Sequence, residues 1–438
     1  MLEKIIGTFG TRIICTLLTF GIVVINANSF GSNGVGIIGL FVLNITILQI
    51  LTSFVGGPSL IYMLPRYNNF QLLFLSYIFS VLTIFLGTFA LYLLELVPRE
   101  YVWYLLFSSF FLAVSSINSL FLLSQENIKL YNFFAVFQVV ILSSILVFLL
   151  FFFKMTSVYA YMIAYCISHF LSFCISFCFV AKKVHYEGYS GIFQVFKKMF
   201  KYGFLIQIAN LAQLLNYRLS YYVIKVIAGI KPLGLFDIGT KLSETIWILP
   251  RSLSAIQYAK IANCEENKQY AKKITLSFLK LTFIFALFAV IVLFCIPSQC
   301  LGWVFGSEFI ESKKIIYALG GGIILLSCNI ISGNYFSGFG NYKINTIGSL
   351  IGLVVTASLC LSLIPWFRTL SGLDIIFIIG LITSFSYLSS FVYLFTRFIK
   401  DTNLKPHELL INQQDILIIK TEFKKLAKNI KKGETDAH

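Results

Sequence analysis

Apolar runs of about twenty residues recur from one end of this chain to the other, and each is long enough to cross a ~30 Å hydrocarbon core. That feature dictates the fold class. With 12% charged and 58% hydrophobic residues, a soluble chain of 438 residues could not cover its surface. Strands of a membrane barrel would read as ~10-residue segments of alternating polarity, and these runs do not alternate. The reading is an all-α integral membrane protein with about twelve transmembrane helices, from Ile5–Asn28 and Ile37–Leu64 through to Ile375–Ile399. The first run is too long for a cleavable signal and has no small-residue cleavage site, so it is expected to remain as a helix.

Lysine and arginine set the orientation. With the N-terminus inside, the inner connections hold Lys182, Lys183, Lys197, Lys198, Lys201, Lys268, Lys272, Lys273, Lys343 and Lys400, among others. The outer ones hold only Arg99, Lys154, Lys231, Lys313, Lys314 and Arg368. Both termini are therefore expected in the cytoplasm, and the net charge of +16 needs no nucleic-acid partner.

A basic connection over 182–203 is expected to divide an N-terminal six-helix bundle (1–181) from a C-terminal one (204–399), with a basic tail at 400–438. The halves repeat. Gly31 and Gly36 (GSNGVG) recur as Gly229 and Gly234 (GIKPLG). QENIKLYN, with Asn127 and Lys129, recurs as GNYKINT, with Asn341 and Lys343. The order is the same in both, so the repeat is parallel. Two pseudo-symmetric bundles around a central cavity are what such repeats build. In the tail, Ile416, Ile419, Phe423, Leu426 and Ile430 fall at helical spacing among lysines, the pattern of an amphipathic helix on an anionic membrane surface.

The stretch Leu215–Ala262 stands apart. It is apolar enough to cross twice, yet it carries Arg218, Lys225, Asp237, Lys241, Glu244 and Arg251. Each charge at membrane depth costs roughly 2.5–3.5 kcal/mol or more, so such groups face protein or a hydrated cavity. Helical spacing puts Asp237, Lys241, Glu244 and Arg251 within an arc of about 80°. Gln207, Asn210, Arg218, Tyr221 and Lys225 share a similar arc of about 80° on the preceding span. Arg12, Thr16, Thr19 and Asn26 line one side of the first span. Three polar stripes imply a hydrated interior. Arg218 and Arg251 have no obvious partner in their own helices, and a guanidinium fork matches phosphate or carboxylate oxygens. Arg218, Arg251, Lys241, Arg12 and Lys225 are thus the candidate binders of an anion. Gln207, Asn210, Tyr221 and Asn26 are candidate cavity lining. Lys241 and Glu244 are placed to neutralise each other, and Asp237 reads as a first-turn carboxylate. Pro250 is expected to bend its helix. His169, in an apolar span, reads as a satisfied core residue.

No phosphate-cradling GxxxxGK[ST], nucleophile–base pair or metal-ligand spacing occurs, so the expectation is a transporter without catalytic residues, metal or cofactor. A multidrug-type exporter of organic cations is the alternative; its cavity would need more carboxylates than bases.

From Asn216 through GIKPLGLFDIGTKLSETIWILPRSLSAI, with FGSNGVGIIGLF, QENIKLYN, SGFGNYKIN and LIP at Leu363–Pro365, the chain resembles the polysaccharide flippases of the Wzx, or O-antigen translocase, type. They belong to the multidrug/oligosaccharidyl-lipid/polysaccharide exporter superfamily, which also holds the MATE drug antiporters and a fourteen-span flippase for the peptidoglycan precursor. The resemblance implies passage of an undecaprenyl-pyrophosphate-linked oligosaccharide across the bacterial cytoplasmic membrane, from inner to outer leaflet, for O-antigen or capsule. It also implies coupling to a Na⁺ or H⁺ gradient, with Glu244 the candidate coupling group, and contacts with membrane lipids, a polysaccharide polymerase and a chain-length regulator. Many relatives carry an Asp shortly after the arginine of the seventh span, where this chain has Ser220.

Overall fold

A computed structural model describes residues 2–410, apart from 65, 66, 126, 185, 187, 189, 190 and 263–266; for 2–9, 58, 61, 62, 205, 259 and 262 it describes the backbone alone. The helices are α1 (Leu2–Gly56), α2 (Pro58–Met63), α3 (Asn69–Leu93), α4 (Val102–Ser124), α5 (Ile128–Phe151) and α6 (Tyr159–Ala181). They continue with α7 (Ile192–Ile227), α8 (Ile230–Glu244), α9 (Ile248–Ala262), α10 (Lys268–Cys295), α11 (Ser298–Phe305), α12 (Ser312–Gly338), α13 (Tyr342–Ser362), α14 (Ile364–Phe367) and α15 (Gly372–Thr402). No strand occurs among the described residues. Nine described helices are long and apolar enough to span a membrane, and the first, Gly10–Gly56, has the length for two crossings. α8 and α9, at 15 residues each, are too short singly to meet that measure, and the apolar stretch of α7 is diluted by Gln207, Asn210, Gln213 and Asn216. Counted as two more crossings, α7 and the α8–α9 segment bring the total to the expected twelve. This is a multi-pass, all-α membrane protein.

The chain forms two compact units that divide between Leu211 and Ala212. The boundary falls inside a helix, because the basic connection expected over 182–203 turns helical at Ile192. Val195 and Met199, four apart, are buried, with Phe196 and Phe200 beside them, against Val55, Leu72, Leu73 and Phe121. The apolar side of that segment joins the core while Lys197, Lys198 and Lys201 lie on the exposed side.

In unit 1, the two arms of α1 meet at Gly31, whose φ of 62° and ψ of −172° are open to glycine almost alone. Ile45, Leu48, Leu105, Leu146 and Met162 form one core. Among the described residues the polar interior of this unit is neutral. Tyr77 donates to Asn118, whose amide donates to Ser176 at 2.9 Å. His169 is buried, with Gln138 at 2.9 Å and the Tyr165 ring at 4.4 Å.

In unit 2, Gly229 joins α7 to α8 with φ 92° and ψ −174°, the state adopted by Gly31. Asn127 and Asn341 also match, at φ −83°, ψ 65° and φ −90°, ψ 65°. Each donates its backbone N–H to a carbonyl five residues back, Leu122 and Phe336. The short sequence matches thus correspond to the same turns. The core gathers Leu253, Ile274, Phe278, Tyr335 and Phe398. After α15 the chain turns back at left-handed Asn403. Lys268 holds Asp401 at 3.0 Å, Lys272 holds Glu408 at 2.7 Å, and Lys280 donates to the Leu410 carbonyl at 2.7 Å. Lys313, read only as an outer charge, donates to the Phe294 carbonyl at 3.1 Å and the Ile296 carbonyl at 2.6 Å, so it caps the end of α10. The amphipathic helix expected from Ile416 to Ile430 lies outside the described residues.

Candidate functional site

The eighth span is broken. α8 ends at Glu244, a 3₁₀ turn covers Thr245–Trp247, and α9 begins at Ile248. Pro250 lies in the first turn of α9, where its missing N–H costs no helical bond, so the break comes ahead of the proline expected to bend a continuous helix. Pro232 likewise falls in the first turn of α8, which starts directly after Gly229. Asp237 therefore stands two turns into the helix, not in its first turn as the sequence implied.

Five side chains from α7 and α8 form one connected chain. Arg218 Nη2 meets Glu244 Oε2 at 2.7 Å. Its Nη1 donates to Tyr221 Oη at 3.3 Å, and the guanidinium carbon sits 5.1 Å from that ring's centre. Tyr221 donates its hydroxyl to Asp237 Oδ1 at 2.8 Å. Lys241 Nζ meets Asp237 Oδ2 at 2.6 Å, one helical turn apart. Two expectations change. Arg218 has a partner, supplied by the next helix. Lys241 pairs with Asp237 rather than Glu244, because a carboxylate four residues N-terminal to a lysine is the better-oriented helical pair. The four charges sum to zero, so the cationic pathway read from their spacing is neutral at its centre.

Burial gives the network its energetic weight. Asp237 and Tyr221 are buried, and the Arg218 and Glu244 side chains are 21% and 16% exposed. Removing one member of a buried pair strands the other charge, at a cost of about 3–5 kcal/mol. Three further polar atoms beside it are buried without a hydrogen-bond partner: Glu244 Oε1, Thr240 Oγ1 and Trp247 Nε1. They fall at helical spacing along α8 and the turn after it.

Aromatic rings complete the surroundings. Tyr217 lies 5.5 Å from Trp247 and 5.8 Å from Tyr387 of α15, centre to centre. Arg251 is exposed and stands 5.2 Å over the Trp247 ring. Along α8 and α9, Lys241, Thr245, Ile248, Arg251, Ala255 and Tyr258 succeed one another at three- or four-residue steps and are exposed or half-exposed. Lys241 and Arg251 at membrane depth require water on that face.

The other candidate residues lie apart from the network. Gln207 is buried and accepts a hydrogen bond from exposed Asn210 at 2.9 Å; both precede the unit boundary on α7. Arg12 is exposed on the first arm of α1, whereas Asn26 is buried with its Oδ1 unpartnered, so that stripe divides. Lys225 is half-buried in the last turn of α7, where a cation favours the helix dipole. Sequence reasoning missed Tyr217, Trp247 and Tyr387, whose aromatic spacing looks like any apolar span. No group of three or more His, Cys, Asp or Glu side chains able to hold a metal occurs among the described residues.

Residues 35–314 match the family described as polysaccharide biosynthesis protein. The chain belongs to that family. The resemblance read from the motifs therefore holds. No curated protein matches the sequence significantly. Among solved structures, the lipid II flippase MurJ in an inward closed conformation is similar, with a TM-score of 0.69 and 16% identity over 92% of this chain and 89% of that one. An outward-facing multidrug resistance MATE transporter gives 0.63 and 13% identity over 92% and 97%. A MOP superfamily transporter from Pyrococcus furiosus, described as having a binding pocket of reverse polarity, gives 0.57 and 13% over 92% and 96%. This member of the polysaccharide biosynthesis family thus has the fold of the MOP transporters.

Proposed function

We propose that the protein is a flippase, not an enzyme. It moves an undecaprenyl-pyrophosphate-linked oligosaccharide from the inner to the outer leaflet of the bacterial cytoplasmic membrane by alternating access, for surface polysaccharide synthesis. Family membership supports polysaccharide biosynthesis, and the excess of basic residues at one end of the spans supports cytoplasmic termini.

The observation that carries the reading is the Arg218–Glu244 bond, 2.7 Å long and only partly exposed. A guanidinium that already holds one carboxylate can exchange it for a pyrophosphate oxygen of the same charge and fork geometry. Glu244 then needs a proton or Na⁺ to stay inside the membrane, which couples the cation to the anion through one side chain. Arg251, exposed over Trp247, offers a second guanidinium for the headgroup.

Deletion in the native host tests this. The expected result is a complete lipid-linked repeat unit accumulating on the cytoplasmic leaflet, with surface polysaccharide lost. Arg218→Ala and Arg251→Ala should fail to restore it, whereas Lys431→Ala should succeed. Full complementation by the double arginine variant would remove both from the site. The neutral centre of the network also suits a second reading, a MATE-like cation-coupled drug exporter. Intact surface polysaccharide with new sensitivity to cationic dyes would decide for that one.

A further inference from the structure

Equivalent elements of the two repeats do not keep constant spacing. Asn69 and Lys268, which begin α3 and α10, stand 199 residues apart, whereas Val102 and Ser312, which begin α4 and α12, stand 210 apart. Unit 2 therefore has 11 more residues in this hairpin, and the connection contains α11. It lies at the end of α10 opposite Lys268, Lys272 and Lys273.

α11 has its polarity arranged against water. Leu301 and Phe305, one turn apart, are buried against the protein. Trp303, on the opposite side, is 82% exposed, and Val304 beside it is 41% exposed. A short helix over water would present polar groups there. Neither does α11 fit the hydrocarbon core. Its eight residues span only ~12 Å, and its ends, at Pro297 and at Gly306 with φ 103°, leave backbone groups that need water or headgroups. Indole combines an apolar body with one N–H donor, the chemistry of the headgroup boundary. At the same end of unit 2, Trp366 of α14 is 50% exposed in the connection between α13 and α15.

We infer that α11 is an interfacial anchor, with Trp303 and Val304 inserted at the boundary between lipid headgroups and acyl chains. The anchor fixes the depth of the α10–α12 hairpin; in the shorter hairpin of unit 1 a 3₁₀ turn, Arg99–Tyr101, stands where α11 does, with exposed Trp103 just after it.

The test uses full-length protein in phosphatidylcholine vesicles, with W103F, W247F and W366F leaving Trp303 as the sole tryptophan. Its emission should lie to the blue of aqueous tryptophan. Lipids brominated near the headgroup should quench it more than lipids brominated near the chain end, and acrylamide should quench weakly. Strong acrylamide quenching without lipid quenching would place the helix in water. Stronger quenching from the chain ends would place it in the core, and resistance to all three quenchers would mean protein covers it. Each of these overturns the inference. If the triple variant misfolds, the difference between native and W303F quenching profiles gives the same readout.

Discussion

The two units share turns and differ in what they bury. Gly31 and Gly229 adopt one backbone state, as do Asn127 and Asn341. Yet unit 1 fills its polar interior with Tyr77, Asn118, Ser176 and His169, while unit 2 buries Asp237 and half-buries Arg218 and Glu244. The turns are set by backbone sterics and caps, which tolerate change on the helix faces between them. A duplicated frame can thus keep its geometry while one copy acquires the charges and the other remains a neutral support.

The sharpest way to break this contrast is to remove one charge. Glu244→Ala should cost about 3–5 kcal/mol by stranding Arg218, and the double variant with Arg218→Ala should recover part of it. Asn118→Ala in unit 1 should cost only about 1–3 kcal/mol, the range for orphaned neutral partners. Unfolding in detergent measures both; equal losses would erase the distinction between the interiors.

The shared turns predict a smaller, matched effect. Gly31→Ala and Gly229→Ala should each lose about 1–3 kcal/mol, since both require φ and ψ that alanine avoids. A large difference between them would mean the resemblance of the two turns is superficial. The asparagine caps should separate instead. Asn127 accepts from the Leu130 N–H, whereas the Asn341 side chain caps nothing. Asn127→Ala should therefore cost about 1 kcal/mol, and Asn341→Ala less.

The smallest effect concerns the returning segment of unit 2. The hydrogen bond from Lys272 holds the Glu408 carboxyl below its ordinary value of 4.5. A lowered folded value adds stability above that pH and loses it as pH falls through the folded value. Backbone exchange at 405–410 should therefore quicken, relative to Glu408→Gln, only on acidification below about 4.5. A change near neutral pH would exclude this pair as its cause.

Much of the fold was legible because hydrophobic length is read one helix at a time. The paired glycines and asparagines were legible for the same reason, since each acts within its own turn. The stripes on α7 and α8 could also be placed by spacing. Their bonds could not. Whether Arg218 meets Glu244 depends on how two helices dock, and a residue's angle on one helix carries no record of its neighbour. Arg251 stands over Trp247, one turn before it, and not among the network. Lys280 escaped notice because its acceptor is a backbone carbonyl, at Leu410, which no side-chain pattern reveals.

The zero sum of Arg218, Asp237, Lys241 and Glu244 has an electrical consequence. A unit charge crossing the membrane field gains or loses ~2.3 kcal/mol per 100 mV. Moved together, these four do no net work against that field. Their displacement is voltage-silent, so any steepness of transport with membrane potential comes from other charges, Arg251 and the cargo among them. Transport rates in vesicles clamped at different potentials with a potassium ionophore should therefore keep the same slope when Asp237 and Lys241 are neutralised together.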